Sequence, residues 1–192
     1  MQRRISSLLA ALIATALPVA SQADTMNYTY IELGYVDTEI DVGPNDLDGD
    51  GFALRGSLAV HENFFVFTGY EDLDFERGVD STTFHLGGGA RWPLGNKLDI
   101  VGRVAIVKSK VEFGSRDQND NGFLLGARLR GEVAPKFELE GGFEYVDLDD
   151  LGNDTAIVLE GRYFFLDALA GGLTVQSTDD ANTIGINLRY TF

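Results

Sequence analysis

Downstream of Ala23 the chain alternates greasy and charged side chains with a period of two, a pattern that few folds can use. In Phe52-Ala53-Leu54-Arg55-Gly56-Ser57-Leu58-Ala59-Val60 one parity is large and apolar, while the other carries Arg55 and small residues. The pattern returns where Phe123, Leu125, Ala127, Leu129 and Val133 oppose Arg128, Arg130 and Glu132. It returns again where Phe137, Leu139, Phe143 and Tyr145 oppose Glu138, Glu140 and Glu144. Successive side chains of a strand point to opposite faces, so each segment reads as a strand with one oily and one charged face. No stretch here is long and apolar enough to cross a bilayer as a helix, so any crossing must be made of strands.

Composition points the same way. The 192 residues include 23 glycines, well above the usual share of about 7%. Glycine weakens helices and isolated strands, so this much of it suits a closed all-β structure held by its backbone ladders. The 15 Lys+Arg against 30 Asp+Glu leave a net charge of -15, a field that argues against a nucleic-acid partner. The absence of Cys excludes disulfides and Cys-ligated metals.

The first 23 residues read as an export signal. Arg3 and Arg4 precede a nearly continuous apolar run from Ile5 to Ala20, and Ser21-Gln22-Ala23 places small residues at the cleavage-determining positions. The expectation is cleavage after Ala23 and one domain over 24–192.

A soluble sandwich would also alternate, with its charged face in water. Three features favour an up-and-down outer-membrane barrel instead. Short turns at 61–63, 93–97, 134–136 and 166–168 alternate with longer acidic links at 37–50, 72–81, 112–121, 147–154 and 177–182, as expected of short periplasmic turns and long extracellular loops. Pro44, Pro93 and Pro135 avoid the proposed strands. Aromatics collect near strand ends at Tyr28, Tyr35, Phe52, Tyr70, Trp92, Phe137, Tyr145, Tyr163, Tyr190 and Phe192, where membrane girdles sit. The segments number about ten: 28–40, 51–61, 64–75, 82–92, 97–111, 122–133, 137–147, 155–164, 168–176 and 183–192. Eight is the alternative, because the parity of 64–75 is ambiguous and 168–176 is Gly-rich.

Turning the polar parity inward predicts a lumen holding Glu32, Arg55, Arg91, Arg103, Arg128, Arg130, Glu132, Glu138, Glu140, Glu144, Glu160, Arg162 and Arg189, with Glu71 joining if its parity is right. Unpaired ions in a confined interior are costly, so these groups should interlock as arginine-carboxylate pairs. Such a set is either an electrostatic plug or a charged conduction path, and the small bore favours the plug.

The surplus acid must then lie in the loops, where it could bind divalent cations shared with lipopolysaccharide, repel anions or keep the loops solvated. Asp46, Asp48 and Asp50 have the spacing that opens a Ca²⁺ loop, and Asp117-Gln118-Asn119-Asp120-Asn121-Gly122 is a weaker copy. The bidentate acid such a loop needs at its twelfth position is replaced by Ser57 and Arg128. No other cofactor is implied. For catalysis the candidates are His85 near Ser81, Thr82 and Thr83, and the Asp149-Asp150 pair. Neither matches a hydrolase motif, and the expectation is no enzyme.

The ending Ile184-Gly185-Ile186-Asn187-Leu188-Arg189-Tyr190-Thr191-Phe192 resembles the C-terminal signal by which the outer-membrane assembly machinery recognises barrels, with Tyr190 and Phe192 as its aromatic marks. The segment from Asp48 to Tyr70 is similar to a family of small barrels known as diffusible-signal-regulated outer-membrane proteins, proposed as immune elicitors in plant-associated bacteria. It shares their acidic loop, Asp-Gly-aromatic strand start, Ser-x-Ala-Val strand end and short Asn-containing turn. That resemblance implies an outer-membrane or vesicle-borne barrel and supplies no catalytic residues. The expected protein is a monomer with lipid, lipopolysaccharide and the assembly machinery as partners and a structural or surface-interaction role. A narrow channel is the first alternative and an outer-membrane hydrolase the second.

Overall fold

A two-faced strand is satisfied when both edges are paired and the sheet returns on itself, because no row of backbone donors is then left open to lipid. The computed structural model describes residues 26–42, 46–114 and 116–192, and it closes in this way. Its strands are β1 (Tyr30–Asp41), β2 (Asp46–His61), β3 (Phe64–Phe75), β4 (Val79–Pro93), β5 (Leu98–Phe113), β6 (Arg116–Ala134), β7 (Phe137–Leu148), β8 (Gly152–Leu166), β9 (Leu169–Ser177) and β10 (Ala181–Thr191). Each strand pairs antiparallel with its sequence neighbours, and β1 closes on β10 from Tyr30 opposite Thr191 to Ile40 opposite Ala181. The count is ten, not the alternative eight. The expected signal peptide, the cleavage position Ala23 and Pro44 lie outside the described residues.

The barrel is inverted relative to a water-soluble protein. Leu54 and Leu125 are 41% and 48% exposed, whereas Arg130 and Arg162 are 2% and 0% exposed. This excludes the sandwich, in which the charged face would be the wet one. Outward Leu33, Val66, Val104, Ile106 and Leu159 belong to the apolar band. Trp92, Tyr163, Tyr190 and Phe192 fringe it near the chain ends, with Tyr35, Phe52 and Tyr70 toward the far rim. Tyr28 departs from the expected girdle. It precedes β1, is 6% exposed, and lies inside the barrel.

The acidic links also differ from expectation. They are mostly strand: β1 and β2 run on to Asp41 and from Asp46, and the other four far-rim connections shrink to residues 76–78, 114–115, 149–151 and 178–180. Asp and Gly are poor strand formers, which makes these segments look like loops in sequence. Closed pairing nonetheless carries the hairpins past the apolar band, and the parity continues with acid in place of grease. Asp37 opposes Asp50, Glu39 opposes Asp48 and Asp41 opposes Asp46, all on the outward, exposed face.

Inward glycines shape the wall. A Cβ on Gly51, Gly87, Gly122 or Gly142 would fall 1.9–2.1 Å from a carbonyl oxygen of the neighbouring strand, so these are points where the sheet bends too sharply for a side chain.

Candidate functional site

Inward side chains divide the lumen. On one side Phe65 and Phe67 of β3, Val101, Ala105 and Val107 of β5, and Leu124 of β6 form an apolar wall, joined by Met26 and Tyr28 from the segment before β1. A second apolar cluster of Val36, Ala53, Leu73 and Phe75 fills the interior of the β1–β3 arms toward the far rim. The ambiguous parity of 64–75 is explained here. Both faces of β3 are apolar because its inner face builds the oily side of the lumen.

The opposite side is ionic. Glu32 Oε1 accepts from Arg55 Nη1 (3.1 Å) and its Oε2 from Arg189 (2.7 Å). Arg189 Nη2 lies 3.5 Å from Glu160, whose Oε1 is 2.9 Å from Arg162 Nη1. Arg162 extends to Glu140 (2.5 Å) and Glu138 (3.6 Å), and Glu138 accepts from Arg130 (2.9 Å). Glu140 also meets Arg128 (3.2 Å), which reaches Glu144 (2.9 Å), and Glu144 accepts from Arg103 (2.8 Å). The chain of pairs therefore runs unbroken from β2 through β1, β10, β8, β7 and β6 to β5. Arg103 completes the crossing by laying its guanidinium 4.1 Å from the centre of the Phe67 ring on the oily wall.

Two residues of the expected set stand apart from this network. Glu132 pairs with Lys97 at the rim carrying the chain ends, where the lysine is 58% exposed. Arg91 meets Asp99 (3.3 Å) and the Glu62 carbonyl (2.7 Å). Asp99 was missed in the sequence although it shares the parity of Arg103, because it sits next to a turn. Tyr28 was missed too. Its hydroxyl donates to Asp99 (2.9 Å), its ring stacks on Phe65 (4.9 Å), and the guanidiniums of Arg130 and Arg91 lie 4.6 and 5.5 Å from its centre. The segment is tied down by Asn27 donating to the Phe192 carbonyl (2.6 Å) and by the Phe192 amide donating to the Thr29 carbonyl (3.0 Å). Tyr28 thus plugs the end of the lumen nearest the termini.

Accessibility is graded along the bore. Near that end Asp99, Arg130, Glu138 and Arg162 have side chains 7% exposed or less, while Arg103, Glu144 and Arg55 farther in reach 15%, 12% and 29%. A cavity of about 180 Å³ lies between the arginines and the apolar wall, lined from Tyr28 and Arg130 at that end to Glu71 and His85 farther in.

Asp46, Asp48 and Asp50 do not form a loop. They stand at alternate positions of β2, and side chains two apart along a strand are roughly 6.8 Å apart rather than wrapped around one point. Asp50 accepts from the Tyr35 hydroxyl (2.6 Å). In the weaker copy, Asp120 turns inward on β6 and accepts from the Asp150 and Leu151 amides (3.0 and 2.8 Å), holding the β7–β8 turn. Of the catalytic candidates, His85 faces the lumen with its ring over Gly69 and 5.7 Å from that of Phe67, while Asp149-Asp150 lies in the β7–β8 turn. Tyr190 and Phe192 sit outward on the closing strand and just beyond it, with their rings edge to face (5.1 Å).

Among solved structures, the chain is similar to the COG4313 outer membrane channel from Pseudomonas putida F1 (11% identity, TM-score 0.53, covering 92% of this chain and 99% of that one). It is also similar to the translocator domain of the autotransporter NalP from Neisseria meningitidis (12% identity, TM-score 0.50, covering 89% and 90%). A third is the attachment invasion locus protein Ail of Yersinia pestis (17% identity, TM-score 0.44, covering 87% and 100%). At these identities the likeness concerns the fold alone. No curated protein matches the chain. The model of the outer membrane protein beta-barrel domain family matches residues 7–192, nearly the whole sequence, and the chain belongs to that family.

Proposed function

We propose that this outer-membrane barrel is sealed, and that it serves the envelope or its vesicles as a structural and surface-interaction element rather than as an open pore or an enzyme. In this reading the chain is exported by a signal peptide cleaved after Ala23 and works as a monomer in contact with lipid and lipopolysaccharide. The observation that carries it is the ion-pair network that crosses the lumen and abuts the Tyr28 plug. Opening a path would require separating several charge pairs that are nearly dry, and each broken pair leaves an ion whose burial costs several kcal/mol.

Planar bilayers test this. Purified barrel, folded as judged by its heat-dependent gel mobility, is expected to add no discrete conductance steps. Regular steps from the unmodified protein would replace the sealed reading with that of a narrow channel.

Assembly supplies a second expectation. If Tyr190 and Phe192 are the marks read by the assembly machinery, Phe192→Ala should lower the amount of heat-modifiable barrel in cells while leaving refolding into micelles nearly unchanged. An equal loss in both settings would make Phe192 a packing residue only.

A further inference from the structure

The outward face of the far-rim arms is not uniform around the barrel. Just beyond the apolar band, the outward parity carries Asp37 on β1, Asp50 on β2, Asp72 on β3 and Asp147 on β7. On β5 the same parity carries Lys108 and Lys110, the only cations at outward strand positions of this rim among the described residues. Arg77 is in the β3–β4 turn, and Arg116 shares the inward parity of Asp120. Register places Phe84 and Asn121 beside Lys108, and Thr82 and Asn119 beside Lys110. The β5–β6 sector therefore presents two ammonium groups and two carboxamides, whereas β1, β2, β3 and β7 present carboxylates.

Height distinguishes the two lysines. Ile106, 59% exposed, is the last apolar outward residue of β5 before Lys108. Two residues along a strand span about 7 Å, which a barrel strand's tilt shortens to about 5 Å of height. The polar layer on each side of the hydrocarbon core is about 5–8 Å thick, so Lys108 stands at headgroup level and Lys110 at or beyond its outer edge. Occupancy separates them as well. Lys110 is engaged with Glu112, whereas Lys108 is exposed and its ammonium has no partner among the described residues. The side-chain amides of Asn119 and Asn121 are likewise unengaged by those residues.

We propose that the β5–β6 sector docks the headgroup phosphate of an outer-leaflet lipid, with Lys108 as its principal contact and the acyl chains lying over Phe84, Ile106 and Phe123. This rests on the surface reading proposed above and gives it a partner and a place on the barrel. Charge complementarity selects the occupant: carboxylates at headgroup level repel a phosphate, and the one cationic sector attracts it. A lysine suits the task, because its apolar stem can lie along the greasy band while its compact charge reaches the headgroup. The asymmetry orients the lipid to one side of the barrel instead of leaving it free to exchange around the whole circumference.

Native mass spectrometry of the folded full-length barrel, released from an uncharged detergent with a chelator present, counts the lipid it retains. The probes are diphosphoryl lipid A and its dephosphorylated form. One copy of the phosphorylated lipid should be retained and the dephosphorylated form lost. Lys108→Gln should cut retention about fivefold, the equivalent of one lysine at a charged membrane surface. Lys108→Arg should preserve it, and Lys97→Gln, at the opposite rim, should change nothing. Excess inorganic phosphate should not displace the lipid, because a free ion lacks the acyl chains. Heat-dependent mobility verifies folding of each variant. The proposal is overturned by equal retention of the two lipids, by undiminished retention in folded Lys108→Gln, or by displacement with inorganic phosphate. Retention that needs added Mg²⁺ and disappears in Asp37→Asn/Asp50→Asn would move the lipid to the acidic sector through a bridging cation. A barrel dimer lost in Lys108→Gln, with lipid retention unchanged, would assign the sector to a second copy. None of these outcomes touches the sealed lumen, which conductance reads separately.

Discussion

Replacing Arg162 by methionine is expected to cost about 3–5 kcal/mol of stability, the loss typical when one partner is removed from a buried ion cluster. Arg162 is fully buried and its guanidinium serves Glu138, Glu140 and Glu160 together, so the variant leaves three nearly dry carboxylates deprived of a shared cation. Urea unfolding in lipid vesicles reads the effect through Trp92, the only tryptophan in the sequence, which sits outward at the rim near the chain ends. Arg162→Lys should recover only part of the loss, because an ammonium is a point charge and cannot address three carboxylates with a planar fork. Glu140→Gln should destabilise the Arg162→Met background much less than it destabilises the unmodified barrel, since the carboxylate it removes has already lost this partner. Additive losses, or a cost below about 1 kcal/mol for Arg162→Met, would mean that the network is loosely hydrated rather than interlocked.

The same network marks how far the sequence could be read. Alternation alone separated Leu54 from Arg55 and Leu129 from Arg130, because an inverted barrel offers lipid to one parity and a confined lumen to the other. The pairing within the lumen was not legible, since which arginine meets which glutamate depends on register around the closed sheet. Asp99 had the right parity but lay beside a turn. Tyr28 leaves strand periodicity altogether, and nothing in its neighbours announces a residue folded back into the bore. Phe65 and Phe67 broke the rule that the inner face is polar, and so concealed the oily wall that turns a charge plug into an amphiphilic chamber. The far-rim arms were misread for a compositional reason: Asp46-Leu47-Asp48-Gly49-Asp50-Gly51 has turn chemistry. Yet its acids share the outward parity of Phe52 and Leu54, so the strand signal was present beneath the composition.

Glycine content, which first suggested a closed β structure, leads to the second large effect. Gly122→Ala is expected to destabilise the barrel by about 3 kcal/mol or more, at or beyond the upper end of ordinary overpacking. The added Cβ would sit 1.9 Å from the Asp147 carbonyl oxygen. That atom belongs to the paired backbone of β7 and cannot swing aside as the end of a flexible side chain would. Relief therefore requires flattening the bend between β6 and β7, which carry Arg128, Arg130, Glu138, Glu140 and Glu144 of the lumen network. Gly88→Ala provides the contrast. Its Cβ would face the outside with no atom nearer than 3.8 Å, so it should be neutral or stabilising by up to about 1 kcal/mol through reduced freedom of the unfolded chain. The measurement is the heat-modifiable fraction after refolding, together with the urea midpoint. Equal behaviour of the two variants would show that glycine is used here for composition-wide flexibility; a large difference ties it to the particular bends that let ten strands close around an interlocked charge network.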